Sequence, residues 1–127
     1  MITILTVDDS RSLREMLGYI LKDAGYAVVE AEDGVAGLEL AQQQVFDVVL
    51  TDQNMPGMDG LMLIENLRTL PEYQYTPILM LTSVTDNDMK LRGRAAGATG
   101  WLIKPFNTER LLLVLEAVVK KSIARTH

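Results

Sequence analysis

Asp8, Asp9, Asp52, Thr82 and Lys104 are the residues of this chain whose types could do chemistry together. Two adjacent carboxylates, a third far along the chain, a hydroxyl and a mobile ammonium share one joint use, the handling of a phosphoryl group. A carboxylate can attack phosphorus as a nucleophile. A lysine can reach a phosphate oxygen as a point charge, and a threonine hydroxyl can donate to another. Three carboxylates in one pocket could not all stay ionised unaided; one would have to keep a proton. A hard divalent cation removes that conflict, and an all-oxygen donor set suits Mg²⁺ or Mn²⁺. Taken singly, each residue has a plainer reading. Asp8-Asp9 could be a helix cap, Asp52 a turn residue ahead of Asn54-Met55-Pro56-Gly57, Thr82 a cap, and Lys104-Pro105 a turn. Their common placement is what counts.

The elements supply that placement. Short apolar runs alternate with helix-period segments, and residues 3–7, 27–30, 47–51, 77–81 and 99–103 read as strands. Ile4-Leu5-Thr6-Val7, Val48-Val49-Leu50 and Ile78-Leu79-Met80-Leu81 are nearly continuous in apolar character. Such runs are expected of parallel strands covered on both faces. Between the first two strands, Leu13, Met16, Leu17, Ile20, Leu21 and Ala24 follow the spacing of a helix resting one face on a sheet. Ser10 or Ser12 can cap its start and Gly25 ends it. Residues 34–43, 60–70, 86–96 and 108–123 read as four more helices. The fourth of the five is polar, and the fifth buries Leu111, Val114, Leu115, Val118 and Val119. This alternation predicts right-handed crossovers and an α/β doubly wound parallel sheet. Ligands of such sheets sit beyond the carboxyl ends of the strands, and there stand Asp8-Asp9, Asp52, Thr82-Ser83 and Lys104. If the strand order is 2-1-3-4-5, the first and third strands are neighbours and the three carboxylates converge.

The totals narrow the function. With 127 residues the chain suits one domain, expected to span 1–127. It has no cysteine, so neither a disulfide nor a thiolate metal site can form. Its net charge of −5 repels phosphate backbones, which speaks against nucleic-acid binding. Lys120, Lys121 and Arg125 read as cations at the negative end of the last helix. No apolar run is long enough to span a bilayer, and the start lacks the pattern of a signal peptide, so membrane insertion is not expected and the cytoplasm is.

The motifs Val7-Asp8-Asp9-Ser10, Leu50-Thr51-Asp52-Gln53-Asn54-Met55-Pro56-Gly57-Met58-Asp59-Gly60, Leu81-Thr82-Ser83, Ala96-Gly97-Ala98 and Ile103-Lys104-Pro105-Phe106 resemble the receiver domains of bacterial response regulators. The CheY-like single-domain chemotaxis group is the nearest likeness, and it covers the chain from first strand to last helix. The resemblance implies a five-stranded flavodoxin-like sheet in the order 2-1-3-4-5, an order for which this family is a standard example. It makes Asp52 the phosphoacceptor. Asp9, the Asp52 carboxylate and the Asn54 carbonyl would hold Mg²⁺, with Asp8 assisting through water. Thr82 and Lys104 would bind the phosphoryl group, and the Lys104-Pro105 bond would be cis. Thr82 and Trp101 would form the switch.

The implied partners are a sensor histidine kinase or histidine phosphotransfer protein and a downstream protein target, the flagellar motor among the candidates. The implied role is signal relay and not turnover: the domain would catalyse only its own phosphorylation and dephosphorylation. Two positions depart from the CheY-like pattern. Trp101 stands where a tyrosine or phenylalanine is usual, and Val84 where a polar residue is common. A flavodoxin-like FMN carrier would need a Ser/Thr/Gly-rich phosphate loop where this chain has Asp8-Asp9-Ser10. A phosphorylation-independent interaction module on the same fold is the other alternative.

Overall fold

In the computed structural model, which describes residues 1–83 and 86–126 and side chains as far as Ser122, the apolar runs become the strands of one parallel sheet. These are β1 (Thr3–Val7), β2 (Ala27–Ala31), β3 (Val48–Asp52), β4 (Ile78–Thr82) and β5 (Gly100–Ile103). Their order is β2-β1-β3-β4-β5, so the first and third strands are neighbours as the convergence of carboxylates requires. β3 and β4 are buried along their whole length and β1 along all but its first residue, whereas the edge strands β2 and β5 are only partly covered. The continuous apolar runs therefore mark the interior of the sheet.

The crossovers carry α1 (Arg11–Asp23), α2 (Gly34–Gln43), α3 (Gly60–Arg68) and α4 (Asn87–Ala96), and α5 (Thr108–Thr126) follows the last strand. Side chains alternate across a strand, so the sheet carries two cores. Leu5, Val7, Val49, Ile78 and Met80 face one, together with Leu63, Ile64 and Leu67 of α3. Ile4, Val48, Leu50, Leu79, Leu81 and Leu102 face the other, with Leu17 and Leu21 of α1 and Leu111 and Leu115 of α5. Among the described residues no helix is long and apolar enough to cross a membrane.

Several expectations shift. Met16 is 46% exposed, because α1 contacts the sheet over a narrower stripe than its apolar spacing covers, and Ala24 is exposed as the residue that caps the helix end. Ser10, not Ser12, caps α1, its side chain accepting from the Leu13 N–H. α3 stops at Arg68 instead of residue 70, and Pro71–Tyr73 forms a 3₁₀ turn with proline in its first turn, where the missing N–H costs nothing. The α4 cap is Asp86 and not Thr82, which belongs to β4. Arg125 and Val84 fall outside the described side chains, while Lys120 pairs with Glu116 at 2.8 Å on α5.

Candidate phosphoryl and metal site

Asp52 and Thr82 are the last residues of β3 and β4, and so are fixed by the sheet itself. Asp52 lies opposite Leu81, and Thr82 opposite Ile103. One step past the final β1–β3 pair, Val7 with Thr51, stand Asp8 and Asp52. Backbone bonds continue the ladder into the site: Asp8 N to Ala31 O at 3.1 Å, Gln53 N to Leu81 O at 3.3 Å, and Lys104 N to Thr82 O at 2.8 Å. The side chains are thus aimed by hydrogen-bonded backbone.

Asp8, Asp9 and Asp52 each offer an oxygen, and these oxygens all lie within 4.8 Å of one another. Asp8 and Asp52 are buried while Asp9 is exposed, which leaves the cluster open on one side. Lys104 Nζ is 3.1 Å from Asp52 Oδ1 and 3.3 Å from Asp8 Oδ2, between the two buried carboxylates. Burial pushes the Asp52 carboxyl above the ordinary aspartate range, and the Asp8 charge adds to that push. The Lys104 hydrogen bond and charge, and the Gln53 N–H, act against it. Desolvation wins, as it does where charge is packed faster than it is neutralised. An oxygen-only donor set holding excess negative charge is what a hard divalent cation requires, and the residues present fit such an ion.

Asn54 follows Asp52 by two residues, exposed in the loop that precedes α3. The Lys104-Pro105 bond is cis. Trp101, half-buried on β5, pairs in register with Met80, two residues before Thr82 on the same face of the sheet. Lys90 Nζ lies 5.9 Å from the centre of its ring, within cation–π range.

Two supporting residues escape sequence reasoning. Arg14 on α1 donates from Nη1 to the Asp8 carbonyl at 2.6 Å, and Gln53 bridges the loop after Asp52. The only sequence signal for Gln53 is a long polar side chain directly after a buried strand.

The comparisons with known proteins agree with this geometry. The family described as the response regulator receiver domain matches residues 4–116. The chain is 34% identical over 119 residues to the chemotaxis protein CheY-3 of Vibrio cholerae, covering 93% of this chain and 92% of that one. It is 34% identical to the transcriptional regulatory protein ResD of Bacillus subtilis, where the match covers 94% of this chain but 48% of ResD. The solved structure of V. cholerae chemotaxis protein CheY4 superposes with a TM-score of 0.90 at 49% identity, covering 93% of this chain and 98% of that one. With the family matched over most of its length and the strand order and acidic cluster in place, the chain belongs to the response regulator receiver domains, the phosphoacceptors of two-component signalling.

Proposed function

We propose that Asp52 is the phosphoacceptor of a CheY-like receiver domain spanning residues 1–127. One observation supports this most: Asp52 is buried at the end of a central strand, 3.1 Å from Lys104 Nζ and clustered with Asp8 and Asp9. In the proposed step, an Asp52 carboxylate oxygen attacks the phosphorus of a phosphohistidine on a sensor histidine kinase or histidine phosphotransfer protein. The P–O bond forms as the P–N bond breaks, and the histidine leaves with the electron pair. Lys104 turns from the carboxylates to a phosphoryl oxygen, and the Thr82 hydroxyl donates to another. Asp9, Asp52 and the Asn54 carbonyl would hold Mg²⁺, with Mn²⁺ as the alternative, and Asp8 would act through water; the ion would neutralise charge on the phosphoryl oxygens.

Attack of water on the acyl phosphate returns the carboxylate, so the chain relays a signal and turns over only its own phosphate. Thr82 and Trp101 carry the change to the surface, where a downstream protein reads it. V. cholerae CheY-3 is a chemotaxis protein, and chemotaxis in the cytoplasm, with the flagellar motor as target, is the setting this likeness supports. Incubation with acetyl phosphate and Mg²⁺ should add one phosphoryl group by intact mass spectrometry, and Asp52→Asn should abolish the addition. Uptake by that variant at the wild-type level moves the acceptor elsewhere. A wild-type chain that takes up none is a phosphorylation-independent interaction module.

A further inference from the structure

Gln53 is 4% exposed and follows the proposed acceptor directly. Its amide joins the two ends of the loop that carries Asn54. Oε1 accepts from the Leu61 N–H at 2.9 Å, in the first turn of α3, and Nε2 donates to Asp59 Oδ2 at 3.3 Å. Its main-chain carbonyl accepts from the Gly60 N–H at 3.0 Å. Asp59 uses its other oxygen, Oδ1, to cap α3 at the Met62 N–H, 2.9 Å away. The N–H groups of Gly60, Leu61 and Met62, orphans of the helix start, are thus all taken up by Gln53 and Asp59. The approach is close: a Cβ on Gly60 would lie 2.4 Å from the Asp52 carbonyl and 2.9 Å from Gln53 Oε1. Only glycine lets the helix start press against the Asp52-Gln53 peptide. The loop is therefore clasped at its base, next to the carboxylate proposed to share the cation.

We propose that Gln53 is a positioning residue for the metal site, its side-chain amide holding the loop from Asn54 to Asp59 in the conformation that receives Mg²⁺. This rests on the phosphoacceptor reading and adds a determinant that touches neither phosphate nor metal. Groups that orient a ligand from behind commonly tune metal affinity by about 10- to 100-fold.

Mg²⁺ binding to the unphosphorylated protein, titrated with MgCl₂ by calorimetry, tests this beside thermal unfolding in EDTA. Gln53→Leu keeps the bulk but leaves the Leu61 N–H and Asp59 Oδ2 without their partner; its Mg²⁺ dissociation constant should rise about tenfold. Gln53→Glu sets a carboxylate against that of Asp59, and Asp59→Asn sets an amide against an amide. Each alone should weaken Mg²⁺ binding. Together they transpose carboxylate and amide and can restore every bond of the clasp, so the double variant should bind Mg²⁺ more tightly than either single one. That reversal is a coupling a double-mutant cycle isolates, and it stands even if Gln53→Leu does not fold. Unchanged Mg²⁺ affinity with a lowered melting temperature would make Gln53 a helix cap and overturn the proposal. So would a double variant no better than its parents. A wild-type chain that neither binds Mg²⁺ nor takes up phosphate refutes the phosphoacceptor reading first, and this proposal with it.

Discussion

Arg68 should be worth more to this fold than its half-exposed position on α3 suggests. Its Nε and Nη2 both donate to the Gly97 carbonyl, at 3.0 and 2.8 Å, and Nη1 donates to the Tyr73 carbonyl. Gly97 closes α4 in the left-handed region at φ 109°, and Ala98 N reaches back to Gly93 O at 2.9 Å. One guanidinium thus ties together the ends of α3 and α4 and the 3₁₀ turn. Burial lowers its pKa from the usual arginine value, yet an arginine stays charged in proteins. Charge-assisted hydrogen bonds contribute about 1.5–3 kcal/mol each. Because Arg68 is only partly covered, water can re-satisfy some of the carbonyls, and Arg68→Met should cost about 2 kcal/mol in total. In a domain of this size that lowers the melting temperature by about 6–12 °C. Arg68→Lys should recover less than half, since a point ammonium cannot reproduce the planar fork. Urea and thermal unfolding followed by circular dichroism measure both. A methionine variant within about 0.5 kcal/mol of wild type, the ordinary range of surface substitutions, would show that the three bonds are replaced by water at no cost and refute the reasoning.

Asp52 predicts a pH effect in metal-free protein. Its folded pKa is raised, chiefly by burial, so its contribution to stability is full below the unfolded pKa and is lost as pH rises through the folded one. In EDTA, Asp52→Asn should therefore be more stable than wild type at neutral pH, with the advantage shrinking on acidification; a constant difference would count against it. Thr6 Oγ1 is the one buried side-chain polar atom, among the described residues, without a hydrogen-bond partner. Thr6→Val should raise stability by about 1 kcal/mol, and a loss measured in urea would point to a bound water. Trp101 emission should change when Mg²⁺ and beryllofluoride bind, and the change should vanish in Thr82→Ala that still binds the mimic. No change in wild type would make Trp101 a core residue only.

Much of this was legible because strand interiors announce themselves. Three nearly continuous apolar runs became the three central strands, and the polar residues that follow them at one end became the candidate site. Partners across long separations were not legible. Arg68 meets Gly97 29 residues later, and Tyr73 pins the approach to β3 through bonds to the Ala41 and Gln44 carbonyls and the Phe46 N–H. No local spacing encodes those contacts. The exposure of Met16 had the opposite cause: its spacing fits the apolar stripe of α1, but tertiary packing decides how wide a stripe is covered.

Asp52 and Thr82 end their strands inside the hydrogen-bonded ladder, while Asn54, Ser83 and Pro105 stand in the connections beyond it. Groups mounted on a sheet are placed more exactly than groups on loops. The carboxylate proposed as acceptor and the Thr82 hydroxyl thus share one stiff frame, while the rim around them is made of separate, replaceable parts. A lineage could re-cut that rim to suit a new kinase and leave the reacting distances alone. Drift in recognition and constancy in chemistry would then be inherited from different stretches of the same short chain.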